Sequence, residues 1–191
     1  MEFADGVFTV AGTDRSVTLT EVAKVSFTPA RLPKGVEPGL FESATFAPED
    51  DTYPNGSHVC EVEVDPDTGH VDIVAWTGVD DVGLAVNPAI LHGQAHGAVM
   101  QGVGQALLEE IHYDPDSAQL LSGSFMDYAM PRAFTIPNLK TVNMEVPASS
   151  HPHGIRPGGE GGTTPALGLL INAIVDALSE FGVKHVAMPA T

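Results

Sequence analysis

Basic residues are scarce in this chain. Eight Lys and Arg stand against 25 Asp and Glu, for a formal net charge of −17. That deficit excludes a nucleic-acid phosphate binder, which needs clustered cations, and it argues equally against an anionic membrane surface. Cysteine is nearly absent: Cys60 stands alone, so no internal disulfide can form, and a reducing, cytoplasmic location is expected. Long apolar runs are missing too. The longest, "ALGLLINAIVDAL", is broken by Asn172 and Asp176 and is too short to span a bilayer. The opening "MEFADGVFTV" has neither the basic nor the apolar block of a secretory signal.

What the chain does have is length for a real core, 191 residues, together with 20 glycines and 15 prolines that imply many turns. "EFADGVFTVAGT" reads as a β-hairpin around Asp5-Gly6. "RSVTLTEVAKVSF" (15–27) has helical spacing, with Thr18 or Thr20 as N-cap. Residues 28–56 form a long irregular stretch. The clearest hairpin is 57–83, turning at "DPDTG". A helix opens with Asn87 as N-cap and Pro88 in its first turn, running to about Glu110. "IHYDPDSAQLLSGS" reads as a second turn-linked pair, and 124–139 is broken by Pro131 and Pro137. Residues 140–147 alternate as a strand. A last helix is expected from Thr164 as N-cap to near Gly182, and "VKHVAMP" as a closing strand. The order is mixed, hence α+β. Both ends look cut, so a piece of a longer protein is expected.

The helix "NPAILHGQAHGAVMQGVGQALLEE" (87–110) is unusual. It carries four glycines, each costing about 1 kcal/mol relative to alanine. Gln94, Gln101 and Gln105 share one face, filled between by Gly97, Ala98 and Gly104. Ile90, Val99, Val103, Ala106 and Leu107 are expected on the opposite, apolar face. Small residues with neutral amides suit a large polar ligand such as a pterin or nucleotide cofactor. They suit equally a glycine groove for close helix packing. His92 and His96 have the spacing of a helical metal pair but no further ligand pattern around them.

In "HPHGIRPGGEGGTTPALG" (151–168) a lone acid, Glu160, sits among glycines just before a helix N-terminus. Of three readings, the first, structural one leads on the residues alone. It is an exposed loop acid near a helix end; the glycines cradle phosphate, although the P-loop Lys-Ser/Thr is missing; or the carboxylate is a general base reaching a reaction centre.

Residues 76–178 resemble the C-terminal part of the molybdenum-cofactor-binding large subunit of the xanthine dehydrogenase, aldehyde oxidase and aerobic carbon monoxide dehydrogenase family. The likeness rests on "DDVGLAVNPAILHGQAHGAVMQGVGQALLEE", "SGSFMDYAMPR" and "GIRPGGEGGTTPALGLLINAIVDAL", in that order. The first and last are similar to the family's cofactor segments of the types GQ-x-x-G-x-x-x-Q-G-x-G-Q and G-V-K-G-V-G-E-x-G-T. The resemblance implies one cofactor-binding domain over 1–191, with a hairpin, helix and long loop in 1–56 and the cofactor-binding core in 57–191. It implies a molybdenum–molybdopterin cofactor, in its cytosine dinucleotide form, whose metal is held by the pterin dithiolene and by no side chain. In such enzymes the acid matching Glu160 takes a proton from a metal-bound hydroxide that attacks the substrate carbon. Gln94 matches a glutamine near the apical oxo ligand. Gly97, Gln101, Gly104, Gln105, Arg156, Gly158, Gly159, Gly161 and Thr163 match cofactor-facing positions. Iron–sulfur and FAD groups are implied on partner subunits or domains, and an aldehyde, a nitrogen heterocycle or carbon monoxide as substrate. Three features depart from the family pattern: Arg156 replaces the usual Lys, Pro157-Gly158-Gly159 replaces Gly-Val-Gly, and Thr164-Pro165 replaces a double proline. The family subunit is several times longer, so the chain alone is expected to be inactive. The competing expectation is a non-catalytic module that keeps the fold for cofactor or partner binding.

Overall fold

Asp5 and Gly6 both adopt positive φ, 49° and 76°. That is the backbone a two-residue hairpin turn requires, and in the computed structural model it joins β1 (Glu2–Ala4) to β2 (Val7–Thr9). The structure describes residues 1–135 and 138–191; the expected break at Pro137 lies outside them. The chain divides into two compact units, Met1–Ala47 and Pro48–Thr191.

In the first unit a third strand, β3 (Ser16–Thr18), pairs antiparallel with β2, placing Val17 opposite Phe8. The helix expected from 15 therefore begins only at Leu19, as α1 (Leu19–Ser26). Pairing with β2 overrides the helical spacing of the first residues. Thr18 is the N-cap: its hydroxyl accepts from the Glu21 N–H at 3.2 Å while the Glu21 carboxylate accepts from the Thr18 N–H at 2.9 Å.

The second unit is built on a hairpin of β4 (Asn55–Val64) and β5 (Val71–Asp81). The Asp65 carboxylate accepts from the N–H groups of Asp67 and Thr68 at 2.8 and 2.9 Å, and Gly69 takes φ 74°. β6 (Asn138–Met144) adds parallel to β5, giving the order β4-β5-β6. It starts two residues earlier than expected and stops before Pro147, which cannot donate to a ladder.

Two helices cover one sheet face. α2 (Pro88–Leu107) packs on β6, and α3 (Thr163–Ala177) on β4 and on α2. Trp76, Val99, Val103, Ala106, Ala166 and Leu170 form the fully buried centre. Asn87 caps α2, accepting from the Ile90 N–H at 3.2 Å. Gly102 meets Ala166 so closely that a side chain there would strike its Cβ; at this position the glycine is helix-packing space.

Several elements differ from expectation. α2 ends at Leu107 because Leu108 leaves helical geometry and Glu109 turns to accept from the Tyr128 hydroxyl at 2.6 Å. The pair around "DPDS" reduces to a single bridge, Tyr113 to Leu120. α3 begins at Thr163, with Gly162 in the cap position. The Thr163 hydroxyl donates to Ala98 O at 3.0 Å and that of Thr164 to Glu160 O at 3.2 Å, so neither caps the helix. It ends at Ala177, before a short 3₁₀ turn over Ser179–Phe181 and Gly182 at φ 78°. "VKHVAMP" forms no strand; the tail docks on the end of α2 through Ala190 N–H to Ala106 O at 2.8 Å.

Candidate cofactor and catalytic site

Gln94, Gln101 and Gln105 are all exposed on α2, with Gly93 and Gly97 bare beside them. None of the three amides shows a hydrogen bond among the described residues. Ile90 belongs to this face and not to the apolar stripe. It lies four residues before Gln94, one helical turn away, and is 59% exposed. Ala98 and Gly104 are buried; Gly104 packs on Glu109 and Pro131, leaving no room for a side chain. His92 and His96 converge on one hydroxyl, with His92 Nδ1 2.7 Å and His96 Nε2 3.1 Å from Thr141 Oγ1 on β6. They join helix to sheet, and no set of three ligating side chains is poised around a metal among the described residues.

The loop before α3 is anchored at both ends. Arg156 N–H donates to Val82 O at 2.8 Å, and Leu84 N–H donates to Gly154 O at 2.9 Å, locking the loop to the end of β5. Arg156 Nε lies 3.4 Å from Asp81 Oδ2 and 3.3 Å from Val146 O, while a terminal nitrogen donates to Tyr53 O at 3.2 Å. Burial pushes the Asp81 carboxyl up, but the N–H groups of Gly83 and Val146, the Arg156 charge and the Asn55 side chain outweigh it and hold the group below the usual carboxylate range.

Further on, a side chain at Gly158 would stand 3.0 Å from Leu91 Cδ2, and one at Gly162 would stand 2.8 Å from Ala95 O and 3.0 Å from Val99 N. These two glycines let the loop lie directly on α2. Between them Gly159 faces open space and the Glu160 side chain is exposed. The carboxylate is thus carried on a short span pinned at both sides, along the Leu91–Val99 stretch whose adjoining face bears Gln94. Arg156, Gly158, Gly104 and Thr163 are engaged within the chain itself. Gln94, Gly97, Gln101, Gln105, Gly159 and Glu160 face outward.

A polar cluster that sequence reasoning missed lies beneath the loop. His58 Nε2 is 3.0 Å from Asp80 Oδ1, and Trp76 Nε1 donates to His58 Nδ1 at 3.1 Å. Their side chains are 2% and 9% exposed for His58 and Asp80, and Trp76 is fully buried. Indole N–H only donates, so Nδ1 accepts, and the ring proton sits on Nε2 facing Asp80. His58, Asp80, Glu160, Gly161 and Thr164 line one cavity of about 420 Å³. The signal was available. His58 has the parity of Cys60 and Val62 on β4, and Asp80 that of Trp76 and Gly78 on β5, so both are polar residues at inward positions. Cys60 is half-buried against the core cluster, and burial pushes its thiol up to about 11.

The description "molybdopterin cofactor-binding domain" matches residues 1–137. The chain belongs to the molybdopterin cofactor-binding domain family. It is 35% identical over 189 residues to the nicotine 6-hydroxylase large subunit of Paenarthrobacter nicotinovorans, covering 98% of this chain and 23% of that one. To the carbon monoxide dehydrogenase large chain of Hydrogenophaga pseudoflava it is 32% identical, over 96% of this chain and 23% of the relative. Among solved structures, quinoline 2-oxidoreductase from Pseudomonas putida 86 superposes with a TM-score of 0.85 at 34% identity, over 93% of this chain and 23% of that one. Carbon monoxide dehydrogenase from Oligotropha carboxidovorans gives 0.88 at 32% identity, over 99% of this chain and 23% of that one. The α+β fold is therefore that of a molybdenum-hydroxylase large subunit, and the chain spans about a quarter of the length of these relatives.

Proposed function

We propose that this chain supplies the catalytic base and one wall of the cofactor site in a molybdenum hydroxylase. Such an enzyme oxidatively hydroxylates a small substrate, an aldehyde, a nitrogen heterocycle or carbon monoxide, with water as oxygen source. The observation that carries the reading is the exposed Glu160 carboxylate, held between the close-packed Gly158 and Gly162 beside a helix face of unengaged amides. The donor set fits a pterin: Gln94, Gln101 and Gln105 offer neutral donors and acceptors, and Gly97 and Gly159 leave space where a Cβ would otherwise stand. Bound molybdopterin supplies the two-electron oxidation and oxygen transfer, its metal held by the dithiolene.

The protein's own part is proton handling and placement. Glu160 removes a proton as the oxygen nucleophile forms. Gln94, Gln101 and Gln105 hydrogen-bond the cofactor, and Gly97, Gly159 and Gly161 let it approach backbone. Gly104, Gly158, Arg156 and Thr163 hold that wall in shape. The cytosine dinucleotide form, a cytoplasmic location and electron exit through iron–sulfur and flavin subunits belong to the same reading. So does dependence on the rest of a large subunit, since the chain covers only 23% of its relatives.

In the assembled enzyme, Glu160→Gln is expected to lower kcat by about 10²- to 10⁴-fold, with molybdenum content unchanged by mass spectrometry. Wild-type turnover in that variant would remove Glu160 from the chemistry and leave the non-catalytic module as the better reading.

A further inference from the structure

Asp80 is an expensive residue where it stands. It is 6% exposed, and a carboxylate buried that deeply must be hydrogen-bonded to persist at all. Replacing a buried polar pair with apolar side chains of similar volume is often neutral or stabilising, so stability alone gives no reason to keep it.

The sheet is cut to fit this pair. Across the β4–β5 ladder, His58 faces Gly78 and Asp80 faces Gly56. A side chain at Gly78 would stand 2.8 Å from His58 Cε1, and one at Gly56 would strike Asp80 Oδ1. Each polar side chain thus occupies the volume its cross-strand glycine leaves vacant, and the two meet diagonally. Glycine weakens a strand interior, so both positions carry a cost, and both make room for the His58–Asp80 contact. Trp76, two residues before Gly78 on the same face, completes the chain from the core outward.

Its outer end is the loop. A Cβ on Gly161 would stand 3.6 Å from Asp80 Oδ1 and 3.8 Å from its Cγ, in van der Waals contact. Asp80 therefore stands within one methyl's reach of Gly161, and the two line the same cavity as Glu160. We infer that Trp76, His58 and Asp80 are positioning residues for Glu160, a rigid chain that carries the order of the core to the Glu160–Gly161 peptide and fixes the pose of the carboxylate. The inference rests on the reading of Glu160 as the base. Trp76 sets the tautomer of His58, His58 orients Asp80, and Asp80 limits how far the Glu160–Gly161 peptide can move into the cavity they share. Glu160 is the other charged group lining the cavity of the pair, and the neighbouring Asp81 is bonded to Arg156.

The test uses the assembled enzyme with Asp80→Ala, Asp80→Asn and Trp76→Phe. Asp80→Ala is expected to lower kcat per molybdenum by about 10- to 100-fold, the scale of a misplaced catalytic group, with KM and molybdenum content held. Asp80→Asn keeps the shape and an oxygen for His58 Nε2–H and recovers most of that loss. Before cofactor loading, hydrogen–deuterium exchange of the 154–164 segment rises in Asp80→Ala and in Trp76→Phe. A purely structural role would instead reduce folded, molybdenum-loaded protein and leave kcat per molybdenum intact. A folded Asp80→Ala with wild-type exchange and kcat overturns the inference. If that variant does not fold, Trp76→Phe with wild-type exchange and kcat overturns it instead. Failure of the base reading is seen separately, as wild-type turnover in Glu160→Gln.

Discussion

Arg156 shows what a single side chain does for the candidate site. Its guanidinium serves Asp81, Val146 O and Tyr53 O at once. The ammonium of lysine is a point charge and cannot span three acceptors in a planar fork, so Arg156→Lys is expected to loosen the start of the Glu160 loop. Asp81 is the other half of the clamp. Its folded-state carboxyl is held below its ordinary value, so its contribution to stability is complete above the unfolded Asp value near ~3.9 and is lost as pH falls through the folded one. Asp81→Asn should therefore be less stable than wild type at neutral pH, with the gap closing on acidification. Urea midpoints measured from neutral pH downward read this directly; a gap that stays constant would mean the charge of Asp81 is not what the clamp uses.

At the scale of elements, α2 and the loop before α3 act as one piece because Gly162 admits backbone contact. In Gly162→Ala the new methyl meets Ala95 O and Val99 N, helix backbone that cannot move aside, for an expected loss of about 1–3 kcal/mol. Gly159→Ala meets nothing within 4 Å. It should keep stability within about 0.5 kcal/mol but lower molybdenum occupancy in the assembled enzyme if cofactor backs onto that peptide. Thermal melts and metal analysis of the pair separate the two roles of glycine in one loop.

Elements of this kind were partly legible in the sequence. The β4–β5 hairpin, the Asn87 cap and α2 follow from alternation, turn chemistry and a capping side chain, all local signals. β3 escaped because Val17 is placed by pairing with Phe8, which no local pattern records. The Thr164 cap failed because both threonine hydroxyls found tertiary or backbone acceptors elsewhere. At the site, Glu160 and the three glutamines were legible as motif residues. The inward parity of His58 and Asp80 was available in the sequence, but their pairing was not, since it depends on two cross-strand glycines visible only once the register is known.

For the whole molecule, the exposed glutamine face of α2 and large exposed apolar side chains occur together. Phe125, Met126 and Phe134 are 83%, 90% and 81% exposed, in the stretch linking α2 to β6. Single exposed apolar residues are ordinary; three large ones within ten positions of one segment are the place to test for a covering chain. About three quarters of the length of these relatives lies outside the stretch that this chain matches, and under the proposed function that portion is the expected cover. A ligand contacted on one side only gains a fraction of the contacts that offset its lost freedom on binding. The chain purified alone from a host that makes molybdenum cofactor is therefore expected to hold no molybdenum. Co-expression with the remaining portion of a relative-like large subunit is expected to give a one-to-one complex that does. Phe125→Asp with Met126→Asp should abolish that complex while leaving the chain folded by circular dichroism. Stoichiometric molybdenum on the chain alone would mean the glutamine face and the Glu160 loop together suffice as a cofactor site, and the one-wall reading would have to be given up.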